Sequence, residues 1–339
     1  MKKSILALGV ASAMFCGAAS AADGVTLGGL VDLGVFSSKA VGADDRTSGV
    51  LSGGLTTSWF GMNGSEDLGG GLTASFKLTG FFKADTGMSG RFSGDPLFSR
   101  DAAVSLAGGF GKVTIGRQTD PAFVPVIAFN PFGDSFSVSP LVMQTYMGTT
   151  GYTSPLARSD SGWSNAVSYS TPSLGGAVAT LEYEFGEGNG TGNPNVGANV
   201  LYFSGPLALT AYYQKDKLSN PLPALLAAET KTWMVGGAYD FKVVKLFGTY
   251  GQSTKDDAVS TKDKTAQIGV SVPLGGGAFL ADWARTKQTA ATDLTWDTAT
   301  VGYDYSLSKR TDVYAAAMFD KVTDLSNGNT VAVGIRHRF

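Results

Sequence analysis

The amino-acid sequence predicts an all-β protein, a closed antiparallel transmembrane β-barrel of about sixteen strands. Three observations predict it. Stretches of about ten residues alternate between apolar and polar side chains. The connections between them alternate between short turns and longer polar loops. Charged residues make up only 16% of the chain, against roughly 25% in a soluble domain. A strand puts successive side chains on opposite faces, so this alternation builds a wall with one apolar and one polar face. The runs exceed the five or six residues usual in a sandwich strand and match the length that crosses a bilayer.

The first element is a leader. Residues 1–21, "MKKSILALGVASAMFCGAASA", combine a basic start (Lys2, Lys3), an apolar run from Ile5 to about Cys16 and small residues at Ala19 and Ala21, the pattern of a cleaved secretory signal peptide. The run is shorter than the roughly 20 residues of a membrane helix. Phe15 precedes Cys16 where a lipoprotein signal needs a small residue. Residues 22–339 then form the barrel domain. Cys16 is the only cysteine, so the mature chain carries no disulfide and no thiolate metal site. Loss of Lys2 and Lys3 takes 26 basic residues to 24 against 28 acidic ones, moving the formal charge from −2 to −4. With no basic block anywhere, nucleic acid is excluded as a partner.

The wall strands follow. "GLTASFKLTGFF" sets Leu72, Ala74, Phe76 and Leu78 against Thr73, Ser75, Lys77 and Thr79. "GGAVATLEYEF" sets Leu181, Tyr183 and Phe185 against Thr180, Glu182 and Glu184, and "TATVGYDYSL" sets Val301, Tyr303 and Tyr305 against Thr300, Gly302 and Asp304. Short connections fall at 66–71, 107–111, 171–176, 204–206, 240–244, 272–277 and 306–310. Longer ones fall near 37–55, 84–96, 118–161, 186–195, 216–230, 254–263, 288–296 and 321–328. Bacterial barrels use an even strand number, short periplasmic turns and long outer loops. The last strand, "TVAVGIRHRF", puts Val331, Val333, Ile335, His337 and Phe339 on the lipid face and Arg336 and Arg338 toward the lumen. It closes the barrel against "GVTLGGLVDLGVF", leaving no open edge.

Several strings, "GGLVDLGV" (28–35), "FGMNGSEDLGGGLTASFKL" (60–78), "FSRDAAVSLAGGFGKVTIGRQ" (98–118), "NAVSYSTPSLGG" (165–176), "VGYDYSLSKRTDVYA" (301–315) and "VGIRHRF" (333–339), resemble the general porins of Gram-negative bacteria, the group typical of β-proteobacteria and neisseriae. The resemblance implies an outer-membrane homotrimer, embedded among lipid and lipopolysaccharide. Each barrel would form a water-filled channel for ions and small hydrophilic solutes, with no cofactor and no catalysed reaction. It also implies that the third loop folds into the lumen and narrows it. The residues flag the same loop: 118–161 is far longer than ordinary connections and rich in apolar side chains such as Phe123, Val126, Phe129, Phe132, Leu141 and Met143, which need something to pack against.

Selectivity in such a channel comes from pore width and charged rings. The resemblance places a constriction cluster on Arg100 and Arg117, with Arg158 a third candidate just before the sixth strand. Alternation adds Lys77, Arg336 and Arg338 as lumen bases, and Asp120 and Asp134 are the loop acids that can face them. Strict alternation puts Arg100 and Arg117 on the lipid face, where a mid-bilayer charge costs about 2–4 kcal/mol. A strand end or a bulge must therefore turn them inward. Members of the family often carry Arg where this chain has Trp59, and Arg or Lys where it has Ser168, so strong anion selectivity is in question here. A barrel hydrolase is excluded because such sites generally need a histidine base. The single histidine, His337, is on the outward face. The alternative function is a substrate-specific channel for a small organic anion or a sugar, for which Tyr212, Phe247 and Tyr314 are the candidate lumen aromatics.

Overall fold

The structure, a computed structural model, describes residues 24–147, 160–186, 193–220, 225–256 and 260–339. The expected leader and Arg158 lie outside the described residues. The strands of the first half are β1 (Gly24–Lys39), β2 (Thr47–Ser52), β3 (Trp59–Gly69), β4 (Leu72–Lys83), β5 (Met88–Ser89), β6 (Asp101–Gly108), β7 (Gly111–Thr119), β8 (Gly162–Ser170) and β9 (Ala177–Glu184). Those of the second half are β10 (Asn195–Ser204), β11 (Leu207–Leu218), β12 (Leu225–Asp240), β13 (Lys245–Asp256), β14 (Thr261–Leu274), β15 (Gly277–Thr289), β16 (Leu294–Ser306), β17 (Thr311–Val322) and β18 (Gly328–Arg338).

Neighbours pair antiparallel around a closed sheet. β2 and β3 both pair with β1 and act as one interrupted wall strand, while β5 is a two-residue addition to β4. Eighteen strands therefore make a sixteen-stranded wall with two extra pieces. Closure runs from Leu30↔Arg338 to Lys39↔Asn329 between β1 and β18. Gly29 and Phe339 extend it with two backbone hydrogen bonds of 3.2 and 3.1 Å. A Cβ on residue 29 would stand 2.6 Å from the Phe339 ring, so glycine is what lets the last aromatic lie on the first strand. With every edge paired, the backbone groups of the wall need no water, the condition for crossing hydrocarbon.

The two faces divide as the alternation requires. Val104, Ile115, Leu181 and Ile268 stand out from the wall, each more than 60% exposed, and Thr114, Glu182, Gln267 and Asp282 between them are buried on the other face. All seven short turns fall where expected. The long connections differ: β11–β16 run further than expected into 216–230, 254–263 and 288–296, and β2 forms inside 37–55. Beyond the bilayer both faces meet water, so the apolar alternation fades while the hydrogen-bond ladder continues.

The connection from β7 to β8 holds most of the non-strand structure. It contains α1 (Phe123–Ala128), α2 (Pro140–Val142) and a π-helical turn (Met143–Met147). Ser139 caps α2, its hydroxyl accepting from the Val142 amide, and Pro140 takes the first helical position, where its missing N–H costs nothing. The apolar side chains pack on the buried face of the wall. Val126, Leu141 and Val142 meet Tyr212 and Met234 of β11 and β12. Phe129 meets Ala208, Ala238 and Phe247, Phe132 and Val138 meet Ala278, Leu280 and Tyr314, and Met143 meets Trp296 and Met318. Full burial of one such side chain contributes about 1.5–3 kcal/mol, so these contacts together hold the segment firmly.

Candidate functional site

Of the charged residues singled out in the sequence, Lys77, Arg100 and Arg117 lie along β4, β6 and β7, and Arg336, Arg338 and Asp134 lie where this segment meets β18 and the link between β2 and β3. Arg117 reaches the buried face through a bulge. The β7–β8 register shifts between Gly116 and Gln118. Gly116 has φ +119° and no room for a Cβ, which would stand 2.2 Å from the Ala102 carbonyl. The extra residue turns Arg117 away from the lipid-facing side of Ile115, as the cost of a lipid-facing charge demands. Its guanidinium donates to the Ser99 carbonyl (2.6 Å), the Gly162 carbonyl (3.1 Å), Ser164 Oγ (2.9 Å) and Asp160 Oδ2 (2.6 Å). Arg91, in the connection after β4, donates to Asp160 Oδ1 (2.5 Å) and forks onto Asp95 (2.9 Å). Asp160 is thus shared by two arginines. Burial would raise its carboxyl, but the Arg91 hydrogen bond and the charges of Arg91 and Arg117 hold it below the usual carboxylate range.

Arg100 escapes lipid in the other way, by standing one residue before β6. Its guanidinium contacts Asp101 Oδ2 at 3.3 Å and lies 4.2 Å above the Trp59 ring, leaving the side chain 27% exposed. Trp59, where the resemblance led us to expect arginine, thus forms a cation–π seat for one. Lys77 shares its face with Thr79, whose hydroxyl donates to Asp101 (2.7 Å), and is exposed with no ion-pair partner among the described residues.

Arg336 and Arg338 form a second cluster. Arg336 donates to Asp312 Oδ1 (2.9 Å), Asp304 Oδ2 (3.1 Å) and Thr56 Oγ1 (2.9 Å), and Arg338 donates to Asp312 Oδ2 (2.9 Å). Thr56 in turn donates to Asp134 Oδ1 at 2.9 Å, tying the β7–β8 segment to this wall. Burial raises the Asp134 carboxyl; the Thr56 bond and the charges of Arg336 and Arg100 oppose that rise. Beside the cluster, Asp32 accepts from the Tyr314 hydroxyl (2.6 Å) and from the amides of Leu55 and Thr56 (2.8 Å each), which fixes the break between β2 and β3.

Asp120 sits apart from all the arginines. It accepts from the Phe123 amide (2.7 Å), the Tyr146 hydroxyl (3.1 Å) and Gln214 Nε2 (3.3 Å). Burial first, and the charge of Asp216 second, push its carboxyl up to about 8. Sequence reasoning treated Arg100, Arg117, Lys77, Arg336 and Arg338 as one basic wall facing Asp120 and Asp134. The structure divides them, with Arg100, Lys77 and Arg117 around Asp101 and Ser99, Arg336, Arg338 and Asp134 around Asp312 and Thr56, and Asp120 with neither group. Sequence reasoning missed Asp160, Arg91 and Thr56. The i,i+4 spacing of Arg91 and Asp95 was the one local signal for that anchor.

Chemically the arrangement fixes charges and does not assemble a reactive group. His337 is exposed and bonded to Thr311 (2.8 Å), and no set of three acidic, His or Cys residues among the described residues is placed to hold a metal ion. Tyr212, Phe247 and Tyr314 are each about 95% buried under the β7–β8 segment. They form no open aromatic track of the kind a sugar channel would use.

A closed β wall, apolar outside and lined with polar and charged groups on its buried face, defines a transmembrane β-barrel channel. Comparison with known proteins agrees. The Gram-negative porin family matches residues 7–325. The outer membrane porin protein 32 of Delftia acidovorans is 33% identical over 345 aligned residues, 99% of this chain and 94% of that protein. An outer membrane porin protein of Bordetella pertussis is 29% identical over 83% of this chain and 82% of that protein. Among solved structures, the anion-selective porin from Comamonas acidovorans superposes with a TM-score of 0.79 at 29% identity, covering 94% of this chain and all of that one. The chain belongs to the Gram-negative porins. It is an outer-membrane porin, a channel and not an enzyme.

Proposed function

We propose that this porin is a general diffusion channel for ions and small hydrophilic solutes, secreted with residues 1–21 as a cleaved signal and assembled as a homotrimer among outer-membrane lipid and lipopolysaccharide. The β7–β8 segment narrows the lumen. The observation that carries this is its reach: it packs on β11, β12, β13, β15 and β17, and on the far side Ser135 and Ser137 donate to the carbonyls of Gly54 (2.6 Å) and Gly53 (2.9 Å). A segment touching so much of the inner circumference leaves solutes the space beside β1, β4, β6 and β18. That side carries Lys77, Arg100, Arg336 and Arg338, with Asp134 across from them; Arg158, outside the described residues, stays a further candidate for the constriction by resemblance. Such a transverse field favours small anions weakly, in keeping with the name of the Comamonas porin.

Planar-bilayer recording tests the reading. Purified protein should conduct in steps of three, without saturating block by any single sugar or organic anion. Under a salt gradient its reversal potential should lie on the anion side and move toward cations in Arg100→Ser. A silent folded protein would refute the open channel, and an unmoved reversal potential would remove Arg100 from the constriction.

A further inference from the structure

On the outward face of β13–β16, the paired rows climb from apolar to basic. Ile268 stands opposite Trp283, with Ala299 beyond it; in the next row toward the β14 start, Ala266 faces Arg285 and Arg285 faces Asp297; in the next, Gln252 faces Lys264, Lys264 faces Lys287 and Lys287 faces Thr295; in the last, Thr254 faces Lys262, which faces Thr289. Ile268 and Trp283 belong to the lipid-facing stripe, so the lysines stand one or two rows past its edge, at headgroup depth, on the side of the long connections.

Two lysines directly opposite on adjacent strands repel each other. Elsewhere on this wall the protein answers such a pair itself. Lys215 faces Lys231, and Glu229 stands beside them, 3.0 Å from Lys231 and 3.1 Å from Lys217, with Asp256 2.9 Å from Lys231. Lys262, Lys264 and Lys287 are exposed and have no acidic partner among the described residues. Of the outward acids on the flanking strands, Asp297 is held by both ends of the Arg285 fork at 2.7 and 3.1 Å, and Asp256 by Lys231 at 2.9 Å. Repulsion left uncompensated among the described residues, ringed by Gln252, Thr254, Thr289 and Thr295 as hydrogen-bonding neighbours, calls for an anion from outside.

We propose that Lys262, Lys264 and Lys287 form a binding site for the phosphate groups of anionic lipid in the surrounding outer leaflet. The inference rests on the membrane setting above and on the long connections facing outward. Trp283 marks the lower rim, where Arg285 lies 5.3 Å over its ring. An acyl chain would run down past Ile268 and Phe319.

The test measures binding of fluorescent diphosphorylated lipid A to the purified native oligomer in detergent. The triple variant Lys262→Gln/Lys264→Gln/Lys287→Gln should bind about 100-fold more weakly, since each lysine near an anionic lipid surface contributes close to one factor of five. Lys287→Gln alone should lose about fivefold, which keeps the test readable should the triple variant fold poorly. Lys215→Gln/Lys231→Gln should leave binding unchanged. Unchanged binding in the triple variant, equal loss in the Lys215/Lys231 control, or displacement of the lipid by equimolar inorganic phosphate would each overturn the proposal. Bilayer conductance of the same samples is read separately, so failure of the channel reading is distinguishable from failure of the lipid site.

Discussion

Asp120 and Asp160 stand at the two ends of one long connection, joined through the Asp120 amide, which donates to the Ser161 carbonyl at 3.1 Å. Their surroundings are opposites. Asp160 lies between two arginines, while Asp120 lies among a glutamine, a tyrosine and a second aspartate. The first end is held by charge and the second by a carboxyl kept from ionising. The difference teaches that the same side chain can tether a segment by two routes with opposite dependence on pH.

The largest expected effect breaks the charged end. Asp160→Asn leaves Arg117, 7% exposed, without its counter-ion, and removing one partner of a buried pair costs about 3–5 kcal/mol. Limited proteolysis of the folded barrel should then cut between residues 120 and 160, with the wall strands intact. If the variant resists as well as the parent, the two arginines are not what holds this end. Next in size is the apolar packing between the ends. Leu141→Ala removes a side chain that is 1% exposed, a change that costs about 2–5 kcal/mol in a core, and single-channel conductance should rise as the segment loosens.

How far this comparison was legible in the sequence differs between the two ends. The barrel, its seven turns and the bounds of the long connection follow from alternation and glycine-rich turns, since those signals are local. Thr119 ends β7 and Gly162 starts β8, within a residue or two of the expected limits. The inward turn of Arg117 was legible only as a contradiction, an arginine on a lipid-facing parity, and Gly116 inside a strand was its cause. The pairing of Asp160 with Arg91 was not legible, because it joins residues 69 apart through two loops with no shared pattern. The seat of Arg100 on Trp59 was hidden similarly: a tryptophan in place of an expected arginine looks like lost charge until the fold sets one ring beneath the other group.

The third prediction separates the two ends by pH. Asp120 holds its proton up to about 8 in the fold, against 3.8 ordinarily. Between those values the folded state binds a proton that the unfolded chain has released, so the stability from this group is full below about pH 4 and falls as pH rises, by at most about 1.4 kcal/mol per unit. Asp160 is shifted downward, so its contribution is full above its ordinary value and is lost as pH falls through the lower, folded one. Proteolytic cutting of the segment should therefore increase from pH 6 to pH 9 in the parent protein and stay flat over that range in Asp120→Asn. A rise that persists in Asp120→Asn would assign the alkaline loosening to another group.

The smallest expected effect concerns charges that hold nothing. Lys77 is exposed and has no ion-pair partner among the described residues, so Lys77→Ser should leave proteolysis and conductance alone. It should still shift the reversal potential by a few millivolts toward cations, because an unpaired charge in a water-filled passage acts on passing ions over roughly a Debye length, about 10 Å at 0.1 M salt. Raising the salt to 1 M contracts that reach to about 3 Å and should erase the shift. Arg117 is the sharper control. It carries the same sign, but its charge is matched by Asp160 at 2.6 Å, so replacing both residues together, Arg117→Gln/Asp160→Asn, should change selectivity less than Lys77→Ser does. If the double replacement moves the reversal potential more, the buried pair contributes to the field in the passage, and the division between charges that tether and charges that select fails.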